Sequence, residues 1–337
     1  MIRRVPAAAG GGEPAPAGTH PPGGEAAAPF HGLLCLDKPP GLTSHDAVMR
    51  VRRRLQSPGA GHLGTLDPSA SGLLVVAMGA ATRAIPVWQG GEKTYEATLR
   101  LGVITRSQDL DGEVLERRPV TVDEARLRAA SVALTGDLEQ IPPMVSALKV
   151  GGRRLHALAR EGVEVERAPR RVHVASWEWL GVALPDATFR VRCSSGTYVR
   201  TLAHDLGMAL GTGAAIVTLR RLRSEPFGLD HSVTLPELEA LPVDEVLRRA
   251  GTPLDAALGV LPAVTLDGSA AASIGTGGRP LVEPGDAPVQ GGARSVVLRD
   301  EAGRPLALGE LLADPERPGR VRACPQVVFP WAVRVVR

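Results

Sequence analysis

The chain carries one carboxylate, Asp67, in a glycine-rich turn within residues 61–79, GHLGTLDPSASGLLVVAMG. Pro68 disfavours helical backbone angles at Asp67, and the neighbouring glycines permit tight turns and close approach of other groups. Residues 73–78 have the continuous apolar composition of a buried strand. An acid held in this way at the edge of a sheet can serve as a nucleophile or as a general acid or base. The alternative is a structural Asp-Pro turn, in which Asp67 bonds its own backbone.

Composition indicates a globular protein with a slight excess of positive charge. The 337 residues are 44% hydrophobic, enough for two domains with cores of their own. Lys and Arg outnumber Asp and Glu by 39 to 36, so binding to nucleic acid must depend on where the charge lies. Aromatic residues make up 3%, which argues against a broad base-stacking platform. Cys35, Cys193 and Cys324 lack metal-ligand spacing and indicate reduced thiols of a cytosolic protein.

Residues 30–253 predict a mixed α/β domain that would position Asp67. Strands are predicted at residues 30–36, 73–78, 95–101, 177–183 and 187–193, and helices at residues 46–55, 122–134, 199–210 and 235–249. Residues 95–101 alternate between apolar and polar side chains, as a half-buried strand does. Thr43 or Ser44 can cap the first helix, and Thr121 with Glu124 predicts a capping box for the second.

The two ends of the chain differ from this domain. Residues 1–29 are rich in Ala, Gly and Pro without periodicity, which predicts a disordered extension. Residues 254–337 contain short apolar strands at 295–298, 304–308 and 321–328, separated by Gly and Pro turns. This pattern predicts a small β-barrel.

Five further segments accompany the Asp67 turn. They are LDKPPGLTSHDAV at 36–48, EKTYEATLRLG at 92–102, QIPPMVSALKVGGRRLHALAREG at 140–162, CSSGTYVRTLAHDLG at 193–207 and GAAIVTLRRLRSEPF at 213–227. In order and spacing, the six segments together resemble the motifs of the TruB family of bacterial tRNA pseudouridine(55) synthases. Each segment alone is a weak signal, whereas the joint match is specific.

The resemblance implies a fold, a reaction and a partner. The fold would be a pseudouridine synthase core at 30–253, with a mixed, mainly antiparallel sheet and an RNA-gripping insert at 140–162, followed by a PUA-like domain at 254–337. The reaction would convert uridine 55 in the T-loop of tRNA to pseudouridine. We expect no cofactor and no metal, because the reaction is an isomerisation and no ligand cluster is evident. We also expect a monomer in the cytoplasm.

The resemblance also assigns roles to single residues. Asp67 would be the nucleophile, Arg200 its counter-ion, and Tyr95 the ring that stacks on the target base. Tyr198 and Leu219 match further pocket positions, and His62 matches a histidine that helps to displace the base. The residues expected to contact phosphates are Lys149, Arg153 and Arg154, with Lys38, Arg220 and Arg221 as weaker candidates. Without the resemblance, an exposed helix arginine or a core leucine would be the ordinary interpretation.

The chain departs from the family pattern at a few positions. Val145 and His156 stand where tyrosines are usual, and Arg106 replaces an acid in the segment that retains Asp109. We expect these departures to affect RNA grip without contacting Asp67, Tyr95 or Arg200. Two alternatives remain open: an RNA-binding or tRNA-folding protein of the same family, and a pseudouridine synthase that acts on another RNA. A nucleoside hydrolase is disfavoured, since most glycosidases use two carboxylates.

Overall fold

The computed structural model describes residues 29–146, 148–150, 152–155, 158, 161–284 and 295–333. The predicted disordered extension, apart from its last residue, lies outside the described residues.

The described elements before residue 254 lie where the sequence predicts the catalytic domain, and we call this part of the chain the catalytic half. Its strands are β1 Gly32–Lys38, β2 Ala60–His62, β3 Ser71–Met78, β4 Lys93–Leu101, β5 Val103–Thr105, β6 Val114–Arg117, β7 Gly136–Gln140, β8 Lys149–Val150, β9 Arg153–Arg154, β10 Arg170–Ala183, β11 Asp186–Cys193, β12 Ala214–Ser224, β13 Phe227–Gly228, β14 Val233–Thr234 and β15 Gly251–Pro253. Its helices are α1 Ser44–Arg54, α2 Ile85–Gln89, α3 Glu124–Val132, α4 Val199–Ala209, α5 Leu235–Ala240 and α6 Val243–Ala250.

The C-terminal elements are fewer and shorter. They are the helices α7 Leu254–Ala257 and α8 Gly268–Gly275 and the strands β16 Ala263–Thr265, β17 Leu281–Val282, β18 Val296–Arg299, β19 Pro305–Ala313 and β20 Val321–Val328. None of the helices in the described part of the chain is long and apolar enough to cross a membrane.

A large mixed sheet organises the catalytic half. Its strands run in the order β14-β1-β3-β12-β4-β11-β10-β7, with β2 beside β3, β13 beside β12 and β15 beside β1. The β1–β14 and β3–β12 pairs are parallel, and the other pairs of this sheet are antiparallel, which confirms the predicted mainly antiparallel sheet. Successive side chains of a strand point to opposite faces, and β4 alternates regularly between buried and half-buried residues as predicted.

The two faces of this sheet have separate cores. One cluster joins apolar strand residues to α1, α3, α4, α5 and α6. The second cluster contains the alternate strand residues Leu33 and Leu73, together with residues of α2, α7 and the C-terminal strands. The Asp67 turn, which connects β2 to β3, therefore adjoins a sheet that is packed on both faces.

The structure confirms one of three predicted helix features and contradicts the other two. Thr43 caps α1 by accepting a hydrogen bond from the Asp46 N–H, as expected. The capping box at Thr121 is wrong: Asp123 caps α3 by accepting from the Arg126 N–H. The single helix predicted over 235–249 is also wrong, because Pro242 lacks an N–H donor and the chain forms the separate helices α5 and α6.

The C-terminal strands form their own sheet, in the order β16-β18-β19-β20-β17. Among the described residues its two outer strands are not paired with each other, so the predicted barrel is a half-barrel. This sheet shares a core with the catalytic half, since Val297, Leu308 and Phe329 belong to the same buried cluster as Leu33. The boundary at 253/254 remains a prediction, and Leu254, just beyond it, is buried in this shared core.

Candidate active site

The Asp67 turn is held by the backbone on both sides of the carboxylate. The Ala70 N–H donates to the Asp67 carbonyl at 3.1 Å and closes the turn. Before it, the Ser44 hydroxyl donates to the Leu66 carbonyl and accepts from the Leu66 N–H, each at 2.8 Å. After it, the Pro68 carbonyl accepts from the Gly41 N–H at 2.8 Å. The start of α1 and the loop before it therefore fix the position of Asp67.

Arg200, the second residue of α4, is the ion-pair partner of Asp67. Its Nε lies 2.9 Å from Asp67 Oδ2, and its Nη1 lies 3.4 Å from Asp109 Oδ2. The guanidinium also donates to the Ser107 carbonyl, and to the Val145 carbonyl at 2.9 Å. The Arg200 side chain is 4% exposed whereas that of Asp67 is 36% exposed. A buried, fully engaged arginine thus presents a fixed positive charge to a partly accessible carboxylate.

Asp109 completes this cluster as a second acid. Burial raises the pKa of its carboxyl group, while the Ser107 hydroxyl and the Arg200 guanidinium lower it. The Ser107 hydroxyl donates to Asp109 Oδ1 at 2.6 Å. Arg200 is therefore shared between two carboxylates, and Asp67 is the one nearer to it.

The start of α4 is fixed by a buried glutamine. The Gln140 side chain accepts from the Tyr198 N–H at 2.8 Å and donates to the Tyr198 carbonyl at 3.0 Å. Tyr198 is the N-cap residue of α4 and makes no side-chain cap bond. Gln140, at the end of β7, therefore links the insert to the helix that carries Arg200.

Tyr95 lies on β4, directly opposite Arg221 of β12. Burial raises the pKa of the Tyr95 phenol, and the positive charge of the Arg221 guanidinium opposes this effect. Arg221 is almost completely buried and donates to the carbonyls of Gly64, Thr65 and Leu73. Arg221 thus links the strand that carries Tyr95 to the loop that leads to Asp67.

These side chains surround one pocket of about 230 Å³. The pocket is lined by Gly64, Thr65, Leu66, Asp67, Lys93, Tyr95, Ser146, Gly196, Thr197, Tyr198, Val199, Arg200, Leu219 and Arg221. It is smaller than a drug-sized ligand site, for which about 300–1,000 Å³ is usual. Five of the predicted site residues, Asp67, Tyr95, Tyr198, Arg200 and Leu219, are brought together here.

Arg221, predicted as a weaker phosphate contact, also lines this pocket, whereas His62, Lys149, Arg153 and Arg154 do not. His62 is on β2, its Nδ1 is buried without a hydrogen-bond partner among the described residues, and burial and the nearby Arg221 lower the pKa of its ring. Lys149 and Arg154 are opposite each other in the β8–β9 hairpin, and their side chains lie outside the described residues. Arg153 is exposed and pairs with Glu161. His156 lies outside the described residues.

Two of the weaker phosphate candidates are not available to RNA. Lys38 is fully buried, and its ammonium donates to the carbonyls of Pro39, Leu42 and Pro68. Arg221 is buried against the pocket as described above. The prediction of phosphate contacts is therefore wrong for both residues. Arg220 is half-buried and pairs with Asp37 through two hydrogen bonds.

The expectation that the unusual positions avoid the active site is also wrong for Val145. Its carbonyl accepts a hydrogen bond from Arg200, as does that of Ser107 in the unusual 105–112 segment. Sequence reasoning missed these contacts because a backbone carbonyl belongs to every residue type. It also missed Gln140, for which the sequence gives no direct signal. In the part of the chain that the structure describes, no group of three or more His, Cys, Asp or Glu side chains could hold a metal ion.

Comparison with known proteins places this geometry in a family. Residues 52–199 match the TruB family pseudouridylate synthase N-terminal domain, and residues 200–259 match the tRNA pseudouridylate synthase B C-terminal domain. The tRNA pseudouridine synthase B of Burkholderia mallei (strain NCTC 10247) is 50% identical over 240 residues, 71% of this chain and 79% of that protein. That of Aromatoleum aromaticum is 47% identical over 281 residues, 83% and 88% of the two chains.

Solved structures that resemble this chain in fold support the same family relationship. The crystal structure of a Cbf5-Nop10-Gar1 complex contains a chain that is 29% identical, with a TM-score of 0.67 over 89% of this chain and 85% of that one. A chain in the structure of an H/ACA RNP bound to a substrate RNA containing 2'-deoxyuridine is 27% identical, with a TM-score of 0.65 over 90% and 91%. The central sheet is thus a pseudouridine synthase core and the C-terminal half-barrel is PUA-like. Since relatives at about 50% identity align over most of their length with it, the chain belongs to the TruB family of pseudouridine synthases.

Proposed function

We propose that this protein is a tRNA pseudouridine synthase that isomerises uridine 55 in the T-loop of tRNA. The observation that carries the proposal is the Asp67–Arg200 ion pair at a pocket that Tyr95 also lines. The relatives named tRNA pseudouridine synthase B support tRNA as the substrate.

The reaction needs few chemical groups but a closed pocket. The bond between ribose C1′ and uracil N1 breaks, the base turns over, and C1′ bonds to C5. The C5 proton must then leave and a proton must reach N1, so that no atom is gained or lost. Water must be excluded while the base is detached, because hydrolysis would release free uracil.

Asp67 is the nucleophile in this proposal, attacking either C1′ of the ribose or C6 of the base. Arg200 orients the carboxylate, because its Nε lies 2.9 Å from Asp67 Oδ2 while its other contacts fix the guanidinium. The third group is Tyr95, whose ring offers a stacking face and whose hydroxyl can carry a proton. Tyr198 and Leu219 would form the remaining walls.

The target uridine belongs to a folded loop, so the enzyme must extract it. Extraction of a base from its stack costs a few kcal/mol, which contacts to phosphates offset. We assign these contacts to Lys149, Arg153 and Arg154 of the insert and base displacement to His62. The exposure of the Arg153 side chain supports its part in this assignment.

We further propose that the protein acts as a monomer in the cytoplasm. A single chain brings Asp67, Tyr95 and Arg200 together at the pocket, which supports action as a monomer. Cys35, Cys193 and Cys324 are free cysteines, which supports a reducing compartment.

The test is to incubate the protein alone with an unmodified tRNA transcript and map pseudouridine by mass spectrometry. We expect conversion at position 55 only. A matched transcript with cytidine at position 55 should remain unmodified. Conversion elsewhere in RNA would favour the alternative of another RNA substrate. Tight tRNA binding without any conversion would favour an RNA-folding role and would overturn the proposal.

A further inference from the structure

Arg221 is a buried cation that is held by main-chain carbonyls. Its Nε donates to the Leu73 carbonyl at 2.7 Å, and its two Nη atoms donate to the carbonyls of Thr65 at 3.4 Å and Gly64 at 3.0 Å. The residue is 2% exposed. Among the described residues, no carboxylate lies within ion-pair distance of the Arg221 guanidinium. The neighbouring carboxylates pair with other arginines, namely Arg200, Arg220 and Arg223. Burial of an unpaired charge is costly, which favours a role that needs the cation.

The carbonyl acceptors connect Arg221 to the reacting groups. Gly64 and Thr65 precede Asp67 in the same turn, whereas Leu73 begins the apolar part of the strand that follows it. The guanidinium therefore joins the two ends of the segment that carries the carboxylate. A methionine of similar length could fill the space but could not donate these hydrogen bonds.

The same side chain contacts the other proposed reacting group. Arg221 and Tyr95 are opposite each other in the β4–β12 register and project onto the same face, where directly opposite side chains touch. Burial raises the pKa of the Tyr95 phenol most strongly, and the charges of Cys193 and Asp67 also raise it, whereas the charge of the Arg221 guanidinium lowers it. Both side chains line the pocket.

We propose that Arg221 is a positioning residue, which holds the Asp67 turn and the Tyr95 hydroxyl in one fixed arrangement for the pseudouridine synthase reaction. This inference rests on the proposed function. The inference goes beyond the proposed function because it gives a second arginine, in addition to the Asp67 counter-ion Arg200, a role in positioning the reacting groups. It accounts for a buried cation that has no carboxylate partner among the described residues.

The contact with Tyr95 can be tested without any substrate. The chain has two tyrosines, so protein labelled with ¹³C at tyrosine Cζ gives two NMR signals, and Tyr198→Phe assigns them. Arg221→Met should move the titration midpoint of the Tyr95 signal to higher pH. Arg100→Met is the matched control, because Arg100 lies on the same strand as Tyr95 but pairs with Asp186. An unchanged Tyr95 signal in Arg221→Met would overturn the inference.

The positioning role is tested by single-turnover conversion of tRNA at saturating enzyme. We expect Arg221→Met to slow conversion by about 10²-fold, the size seen when one preorganised donor is lost, with tRNA affinity retained. Arg221→Lys keeps a charge but loses the planar fork, so the Tyr95 midpoint should return towards the wild-type value while the rate stays low. A wild-type rate in the lysine variant would show that the planar guanidinium of Arg221 is not needed to position the reacting groups.

These outcomes separate the inference from the proposed function. If wild-type protein converts no tRNA but the NMR shift occurs, the proposed function fails and the Arg221–Tyr95 contact stands. If wild-type protein is active and Arg221→Met is equally active, the proposed function stands and the positioning role fails. Should Arg221→Met not fold, Arg221→Lys and its rate decide the question.

Discussion

Asp67 Oδ2 lies 2.9 Å from Arg200 Nε, in a pair whose two members differ sharply in accessibility. Arg200 is buried and has further contacts with Asp109 and two carbonyls, whereas about a third of the Asp67 side chain is exposed. The arginine therefore has a position that does not depend on Asp67 alone. The carboxylate can leave the pair to form a covalent bond while its counter-ion stays in place.

The first prediction concerns Asp67 itself. Asp67→Asn and Asp67→Ala should abolish pseudouridine formation, measured by mass spectrometry, while a gel shift with tRNA is nearly unchanged. The fold should persist because Arg200 retains its contacts with Asp109, Ser107 and Val145. Residual turnover within about tenfold of wild type, which corresponds to about 1.4 kcal/mol of barrier, would exclude Asp67 as the nucleophile.

The second prediction concerns the network around Arg200. Arg200→Met should lower the free energy of unfolding by about 3–5 kcal/mol, because it leaves the buried Asp109 without its cation. Addition of Asp109→Asn should recover part of this loss in the double variant. Urea unfolding of both single variants and the double variant measures the coupling. Strictly additive effects would show that Asp109 and Arg200 do not interact.

The sequence predicted the parts of the site that depend on local pattern. The turn at Asp67 follows from its glycines and Pro68, and the placement of Tyr95 follows from the regular alternation of β4. Pro242 could also have predicted the break between α5 and α6, since proline interrupts a helix. Asp123 competed with Thr121 as a cap, and both are good capping residues, so composition alone could not decide between them.

The sequence could not predict the burial of Arg221. It lies in the run Arg220-Arg221-Leu222-Arg223, which has the composition of an exposed basic segment. The pairing of β12 with β4 shifts register on both sides of it, between Ile216 and Thr218 and between Arg221 and Arg223. A bulge changes which face a side chain occupies. The run therefore gives no reliable alternation from which burial could be inferred.

The third prediction concerns cofactors. Full activity should survive dialysis against EDTA without added nucleotide, because the proposed isomerisation transfers no electrons and needs no phosphate donor. Conversion of the tRNA transcript before and after dialysis is the measurement. Loss of activity that Zn²⁺ alone restores would reveal a metal site, and Mg²⁺ added with the tRNA serves as the control for RNA folding.

The fourth prediction concerns the pH dependence of stability at Lys38. Burial lowers the pKa of its ammonium to about 8, with Arg221 adding to the effect and Asp67 opposing it. In the unfolded chain lysine titrates near 10.4, so between about pH 8 and pH 10 the unfolded state binds more protons than the folded state. Stability from this group therefore rises with pH in that window, by up to about 3 kcal/mol.

The measurement for Lys38 is the difference in unfolding free energy between wild type and Lys38→Met across this window. The difference should shift in favour of wild type as the pH rises. Burial also raises the pKa of Cys35, to about 12, but this thiol is present in both proteins and its contribution cancels. Parallel pH profiles for the two proteins would show that the Lys38 ammonium is not destabilised by burial.

The fifth prediction concerns the core that the two halves of the chain share. Phe329, just after β20, is fully buried in a cluster with Leu33 and Leu73 of the catalytic sheet. Phe329→Ala should therefore cost about 3–5 kcal/mol of stability and lower a single thermal transition of the whole chain. Conversion of tRNA per folded molecule should be unchanged well below that transition, because the cluster lies on the sheet face opposite to Tyr95.

Leu312→Ala, at a half-exposed position of β19, is the matched control and should change stability by less than about 1 kcal/mol. If Phe329→Ala instead produced a separate early transition while activity persisted through it, the C-terminal sheet would be an independent unit, despite the buried contacts with the catalytic half.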